Sequence, residues 1–139
     1  MTYVVIQFSI LLFMIVSTNW DNFGILSLIM IMLSVSLGLW AILTVGVYNV
    51  RILPELNKGA DLVTHGPYRL VRHPMYLSLI ILCAGLIIST QTWYMFLGGA
   101  FLLVVLVLKL QYEEKKLVAE FPKYKEYKSE TYYLIPFIY

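Results

Sequence analysis

Residues 75–110 read MYLSLIILCAGLIISTQTWYMFLGGAFLLVVLVLKL and form two apolar runs, 75–90 and 93–110. A short uncharged turn around Gln91 separates the runs, and the stretch contains a single charged residue, Lys109, near its end. A helix needs about 20 apolar residues to cross a bilayer, with a range of about 17 to 25. Backbone groups in lipid must be paired internally, which favours helices. The stretch therefore predicts a hairpin of two membrane helices.

Two further apolar runs lie upstream, at residues 3–18 and 23–48, and a short turn with one acidic residue joins them. The whole chain of 139 residues is 60% hydrophobic and only 13% charged. A soluble domain of this size cannot hide so much apolar surface from water. The sequence therefore predicts an all-α membrane protein with about four transmembrane helices, in a single domain that covers residues 1–139.

The single cysteine, Cys83, lies inside an apolar run, and we expect it to be a small buried hydrophobic residue. One cysteine excludes an intrachain disulfide and a cysteine-based metal cluster, and we expect no metal site. The formal net charge of +2 is too small to indicate a nucleic-acid partner.

Every Lys and Arg lies in or next to two polar segments, the loop 51–74 and the C-terminal tail 111–139. The positive-inside rule places both segments and both termini in the cytoplasm. Trp20 and Trp93 lie at the opposite ends of the helices, where an aromatic belt is expected. The two signals predict the same topology, a multi-pass integral membrane protein with cytoplasmic N- and C-termini.

The loop ends in a dense polar segment, residues 62–76, which reads LVTHGPYRLVRHPMY. The pair Gly66-Pro67 predicts a turn. Pro74 fits the first turn of the third helix, where its missing N–H costs nothing, and His73 would lie at or near the N-cap. Free backbone N–H groups at this helix start would face the loop and suit a carboxylate or phosphate.

The fourth helix continues into the tail as KLQYEEKKL at residues 109–117, where Lys109 and Glu113 share one face. Each of these polar features also has an explanation that involves no functional site. Lys109 and Glu113 would be a surface pair that contributes only about 0.3–0.5 kcal/mol. His73 would only cap a helix, and Arg72 would bind lipid phosphate at the interface.

Two motifs follow one another in the chain: L-V-x-x-G-P-Y-x-x-V-R-H-P-M-Y at residues 62–76 and, after a membrane hairpin, E-E-x-x-L-x-x-x-F at residues 113–121. This arrangement resembles the isoprenylcysteine carboxyl methyltransferase and phospholipid methyltransferase family, from about residue 53 to the C-terminus. The resemblance implies a fold without the Rossmann methyltransferase domain, and the chain contains no G-x-G-x-x-G. It also implies that S-adenosylmethionine binds in a pocket formed by the cytoplasmic loop and the C-terminal cytoplasmic segment.

The resemblance implies a set of site residues. The expected cofactor contacts are Ala60, Asp61, Leu62, Val63, Tyr68, His73, Pro74, Met75, Tyr76 and Glu113. Arg72 and Lys109 are expected to orient the acceptor, and with Glu113 they form the expected catalytic set. Lys109 stands where the isoprenylcysteine enzymes have an arginine, and lysine lacks the fork that grips a carboxylate with two hydrogen bonds.

The resemblance implies a lipophilic or lipidated acceptor in the bilayer: an isoprenylcysteine carboxylate, a phospholipid amine or another small lipophilic group. Three other interpretations stay open. A membrane sterol reductase would use NADPH, but its 2′-phosphate needs more basic residues than Lys58, Arg69 and Arg72. A four-helix transporter needs a glutamate in the first span, which residues 3–17 lack. A structural membrane subunit is the remaining alternative.

Overall fold

The computed structural model describes residues 2–21, 23–46 and 62–136, and the regular structure in these ranges is helical. The α-helices are α1 Thr2–Val16, α2 Ile25–Val45, α3 Pro74–Thr90, α4 Trp93–Glu120 and α5 Tyr124–Glu130. A short 3₁₀ helix, Gly66–Arg69, precedes α3. The described ranges contain no β-strand, only one isolated bridge between Val71 and Tyr132. The prediction of an all-α protein is therefore confirmed.

The first two helices are shorter than the sequence predicted. α1 ends at Val16 instead of residue 18, and α2 begins at Ile25 instead of residue 23. α2 ends at Val45 because Gly46 adopts a φ of 85°, a left-handed conformation that glycine accepts without steric cost. The predicted end of this run at residue 48 lies outside the described ranges.

The last two apolar runs form two consecutive helices joined by a short turn, as predicted, while the crossing of a membrane by both stays a prediction. α3 ends at Thr90, and its C-cap residue Gln91 takes a left-handed φ of 44° and donates its N–H to the carbonyl of Ile87 at 2.8 Å. The turn after α1 lies at the same end of the bundle. The backbone N–H of Asn19 donates to Thr90 Oγ1 at 3.0 Å, and Ser89 Oγ donates to the backbone carbonyl of Asn19 at 3.1 Å.

Small residues bring α2 and α3 close together. A Cβ atom at Gly85 would lie 3.1 Å from the Met30 Cβ atom, and one at Gly38 would lie 3.2 Å from Ser78 Oγ. Ser34 Oγ donates to the Ser78 carbonyl at 2.8 Å. Small residues and inter-helix hydrogen bonds are the usual means by which membrane helices associate.

A second packing layer joins α1, α3 and α4. Its buried residues are Leu11, Met14, Cys83, Leu86, Met95, Leu102 and Leu106. Cys83 is buried among apolar residues as predicted. Many outward-facing residues are also apolar, including Val16 and Ile25, which are 75% and 79% exposed. A surface of this kind suits contact with lipid better than contact with water.

Two helices, α2 and α4, are long and apolar enough to cross a membrane, while α1 and α3 are shorter apolar helices. The arrangement of four spans stays a prediction. α4 has 28 residues and is about 42 Å long, which exceeds the hydrocarbon core of about 30 Å. If α4 crosses this core, its charged C-terminal part projects beyond it, and this part contacts the start of α3 through Glu113 and Tyr76.

Candidate functional site

The segment before α3 is fixed by a close approach to α2. Gly66 has a φ of 61°, and a Cβ atom there would lie 2.9 Å from Thr44 Oγ1, so this position needs glycine. Pro67 is buried and lies in the first turn of the 3₁₀ helix. The turn predicted at Gly66-Pro67 is therefore confirmed.

His73 is the N-cap residue of α3 and Pro74 follows in the first turn, as the sequence predicts. The His73 side chain makes no capping hydrogen bond, so capping is not what it contributes. His73 is only 7% exposed, and its Nε2 atom has no hydrogen-bond partner among the residues that the structure describes. Glu114 Oε1 lies 3.6 Å away, beyond hydrogen-bond length. A buried ring nitrogen with unmet capacity is suited to a ligand.

Glu113 and Tyr76 connect the projecting end of α4 to the start of α3. Tyr76 Oη donates to Glu113 Oε1 at 2.6 Å. The His73 and Tyr76 rings pack with centroids 5.8 Å apart, on the shared face that the spacing predicts. The carboxylate of Glu113 therefore lies beside the aromatic rings at the N-terminus of α3.

Lys109 lies in the same cluster and is only 6% exposed. Its Nζ atom lies 4.0 Å from Glu113 Oε1 and 4.9 Å from the centroid of the Tyr76 ring. The same atom donates to Gln7 Oε1 of α1 at 3.3 Å. The interpretation of Lys109 and Glu113 as a surface pair is wrong, because the ammonium is buried among three helices.

Tyr68 lies in the 3₁₀ helix before α3, and its backbone carbonyl accepts a hydrogen bond of 2.6 Å from Tyr127 Oη of α5. Burial raises the pKa of the Tyr68 hydroxyl, and Tyr127 and Glu113 raise that pKa further. Tyr76, His73 and Glu113 are thus brought together, whereas Tyr68 is joined to α5 through its backbone carbonyl.

Glu114, the next residue along α4, belongs to a second cluster that binds the C-terminal tail. Arg72 Nε donates to Glu114 Oε1 at 2.7 Å, and Lys128 Nζ donates to Glu114 Oε2 at 2.7 Å. Burial raises the pKa of the Glu114 carboxyl, but His73, Lys128 and Arg72 lower it more strongly, so that the pKa is about 2. The carboxylate therefore stays ionised among its partners.

Arg72 is 8% exposed, and its guanidinium also donates to the carbonyls of Lys128 and Thr131 and lies 5.1 Å from the centroid of the Tyr133 ring. The contacts described for the Arg72 guanidinium thus join it to Glu114 and to the C-terminal tail. The interpretation as a lipid-phosphate ligand at the exposed interface does not fit this burial. A role of Arg72 toward an acceptor stays a prediction.

A cavity of about 1000 Å³ opens between the loop and the tail. Its lining residues are Leu62, Thr64, Arg69, Phe121, Pro122, Lys123, Glu126, Tyr127, Glu130 and Thr131. Leu62 is the member of the predicted cofactor set in this lining, whereas the described lining does not include Tyr68, His73 or Glu113. Tyr127, which bonds to the Tyr68 carbonyl, lies between the cavity and the polar cluster.

The remaining predicted site residues are placed as follows. Val63 and Met75 are half-buried on either side of the 3₁₀ segment, and Pro74 is buried. The predictions for Ala60 and Asp61 lie outside the residues that the structure describes.

Sequence reasoning missed Glu114, Gln7 and the tail residue Lys128. A signal existed for Gln7, since it is the only amide side chain in the apolar α1. For Glu114 the signal was the adjacent glutamate pair, which could not by itself show which carboxylate faces which partner. No pattern links Lys128 to the site before the fold is known.

A comparison with protein-family profiles matches residues 21–124 to the phospholipid methyltransferase family. The match begins in the turn before α2, ends at the first residue of α5 and leaves α1 outside. A search among curated proteins found no match. The match favours methyl transfer over the reductase and transporter readings. Because it covers most of the chain and includes Tyr68, His73, Tyr76, Lys109 and Glu113, the chain belongs to the phospholipid methyltransferase family.

Proposed function

We propose that the protein is a membrane methyltransferase that transfers a methyl group from S-adenosylmethionine to a lipophilic acceptor at the cytoplasmic face of the membrane. Family membership supports methyl transfer. The observation that carries the site is the 2.6 Å hydrogen bond from Tyr76 to Glu113, which joins the start of α3 to the projecting end of α4.

The residues present fit the chemical groups of the proposed cofactor. The orphaned Nε2 of His73 and the backbone N–H groups at the start of α3 suit its carboxylate. The Glu113 carboxylate suits an amino group or ribose hydroxyls. Leu62, from the segment proposed to enclose the adenosine, also lines the neighbouring cavity of about 1000 Å³ between the loop and the tail.

When bound, S-adenosylmethionine would supply a methyl group activated by a sulfonium: an acceptor lone pair would attack the methyl carbon in line while the carbon–sulfur bond breaks and S-adenosylhomocysteine leaves. The residues of this chain then act mainly by binding and alignment. His73 would hold the carboxylate end of the cofactor, and Glu113 would accept hydrogen bonds from its amino group or ribose. Tyr68, Tyr76 and the Leu62-Val63 backbone would enclose the adenosine. The proposal assigns no general base, because a carboxylate or a neutral amine attacks without first losing a proton.

The lipophilic acceptor is supported by a second cavity, of about 550 Å³, which opens between α1 and α4. Its lining residues are Ser9, Ile10, Phe13, Tyr94, Leu97, Gly98 and Phe101. This apolar cavity suits a hydrocarbon chain that arrives from the bilayer. Lys109 lies further along the same pair of helices and would orient the polar end of the acceptor, with Arg72 as the second predicted contact. A phospholipid amine, an isoprenylcysteine carboxylate and other small lipophilic groups all meet this description.

The proposed function predicts that S-adenosylmethionine stabilises the purified protein against heat, whereas NADPH does not. Titrations in detergent micelles follow the melting temperature, which rises with ligand concentration when a ligand binds the folded state. His73→Ala and Glu113→Gln each remove a hydrogen bond to a charged group, which is worth about 1.5–3 kcal/mol, and should weaken binding by about ten-fold or more.

Glu120→Gln is the matched control, because Glu120 is an exposed glutamate at the end of the same helix. It should bind the cofactor like the parent protein. If S-adenosylmethionine gives no stabilisation, the proposed cofactor is wrong. If both His73→Ala and Glu113→Gln bind it like the parent, the proposed site is wrong.

A further inference from the structure

The contact between Gln7 and Lys109 brings α1 into the proposed site. Lys109 is 6% exposed and Gln7 is 4% exposed, and the donor and acceptor atoms are 3.3 Å apart. α1 precedes the first residue of the family match, so Gln7 comes from a part of the chain that the match does not cover. A buried amide and a buried ammonium are costly among apolar helices unless each gains a partner.

The ammonium of Lys109 keeps hydrogen-bonding capacity beyond this contact. A lysine has three N–H donors, and the described residues accept one hydrogen bond from Lys109, at Gln7. Glu113 Oε1 lies 4.0 Å away, too far for a hydrogen bond, and already accepts the Tyr76 hydroxyl at 2.6 Å. The Tyr76 ring offers the ammonium a π-face at 4.9 Å. An anion beside Lys109 would therefore find N–H donors.

The neutral amide of Gln7 suits an anion-binding site, whereas structural support of Lys109 alone would favour a charged partner. A glutamate at this position would bind the ammonium more strongly, but its charge would repel an anionic ligand. A neutral amide fixes the ammonium through its oxygen without cancelling the positive charge. It also carries two N–H donors of its own, which can bind the same anion.

We propose that Gln7 is a positioning residue for the methyl acceptor. Its oxygen holds the Lys109 ammonium, and the ammonium and the amide N–H groups together bind an anionic group, a phosphate or carboxylate, carried by the lipid acceptor. The inference rests on the proposed function, since it assumes that the acceptor binds beside Glu113. It assigns to α1 the recognition of the acceptor and not of the cofactor.

The test measures transfer of radiolabelled methyl groups from S-adenosylmethionine to total membrane lipid by the full-length protein in detergent micelles. Lipid is varied at saturating S-adenosylmethionine to obtain an apparent KM for lipid and kcat. Gln7→Leu should raise this KM by about ten-fold, the effect expected for losing a hydrogen bond to a charged group. Gln7→Glu should raise it at least as much, although it keeps an oxygen for Lys109.

The matched control is Thr18→Ala, which removes another buried hydrogen bond, the 2.7 Å bond from Thr18 Oγ1 to the Met14 carbonyl at the end of the bundle away from Lys109. Its KM for lipid should equal that of the parent. Affinity for S-adenosylmethionine, measured by thermal stabilisation on the same preparations, should be unchanged in all three variants.

A parent-like KM in Gln7→Glu would overturn the anion site, because Gln7 would then only support the lysine. A loss of cofactor affinity in Gln7→Leu would overturn it too. If the parent protein binds no S-adenosylmethionine, the proposed function fails. If it binds the cofactor but methylates no lipid, the lipid acceptor is refuted. If it methylates lipid and Gln7→Leu keeps the parent KM, the inference alone fails.

Discussion

At the residue scale, the two adjacent glutamates of α4 have different surroundings. Successive helix residues point about 100° apart, so Glu113 faces Tyr76 while Glu114 faces Arg72 and Lys128. The carboxylate of Glu114 is surrounded by cations of the protein. Glu113 has one close hydroxyl donor and a lysine at 4.0 Å, which leaves it suited to a ligand. Glu114 therefore binds the tail, and the surroundings of Glu113 support its proposed role in cofactor binding.

Acid should weaken the attachment of the tail. The pKa of Glu114 falls from its usual value of 4.5 to about 2 in the folded protein. A carboxyl whose folded pKa is depressed contributes stability above its unfolded pKa, and this contribution is lost as the pH falls from about 4.5 towards 2. Thermal unfolding in detergent between about pH 6 and pH 3 should show this loss in the parent protein.

Glu114→Gln should lack this part of the pH dependence, whereas the exposed Glu120→Gln should keep it. Equal pH dependence in the parent and in Glu114→Gln would contradict the assigned role of Glu114.

The residue at which α3 begins could be predicted from the sequence, because proline is favoured in the first turn of a helix. His73 and Pro74 were placed correctly for that reason. Glu114 could not be separated from Glu113, since both belong to one motif and only the packing decides what each faces. Gln7 could not be linked to Lys109, because the two are 102 positions apart and meet only in the fold.

At the element scale, the site depends on how α3 is held between α2 and α4. α2 packs on α3 through glycine and serine, and a Cβ atom at Gly99 of α4 would lie 2.8 Å from Ile87 Cδ1 of α3. These close contacts fix the position of the α3 N-terminus and therefore of His73 and Tyr76. The projecting end of α4 then brings Glu113 to it.

Replacing Gly85 should disturb this packing. A Cβ atom there would lie 3.1 Å from Met30 Cβ and 3.3 Å from the Ser27 carbonyl oxygen, so Gly85→Ala should cost about 1–3 kcal/mol of stability. At Gly98 the nearest atom would be Met14 Cγ at 3.4 Å, an ordinary contact, and Gly98→Ala should be neutral or stabilising by up to about 1 kcal/mol. The melting temperatures of both variants in detergent measure this difference. A Gly85→Ala variant as stable as Gly98→Ala would contradict the described α2–α3 packing.

Helix existence was predictable because each apolar run is bounded by turn residues. The side of each helix that packs against another helix was not predictable. α1, α2 and α3 are apolar on nearly all sides, so periodicity cannot separate the side that meets lipid from the side that meets another helix. The pairing of α1 with α4, which creates the Gln7–Lys109 contact, was therefore beyond sequence reasoning.

At the scale of the whole molecule, the polar chemistry is gathered at one end of the bundle. The tail is fastened there by Arg72 and Glu114 and by the bridge between Val71 and Tyr132. The opposite end holds the turns with Asn19 and Thr90. The distribution of Lys and Arg predicts that the first end faces the cytoplasm.

This topology predicts the labelling of introduced cysteines by a membrane-impermeant maleimide in intact cells. The native Cys83 is buried and serves as an unreactive background. A cysteine introduced as Asp21→Cys, at an exposed position of the first turn, should be labelled from outside. One introduced as Lys125→Cys, at an exposed position of α5, should be labelled only after permeabilisation. The reverse pattern would contradict the predicted orientation.

The proposed function requires that one pocket, formed by the loop before α3 and the C-terminal end of α4, binds S-adenosylmethionine. Photolabelling of the full-length protein with tritiated S-adenosylmethionine, followed by peptide mapping, tests it most directly. We expect the label on residues 62–76 or 109–121, and its loss when unlabelled S-adenosylhomocysteine competes. A label that S-adenosylhomocysteine displaces but that lies only in other parts of the chain, such as α2, would refute this pocket.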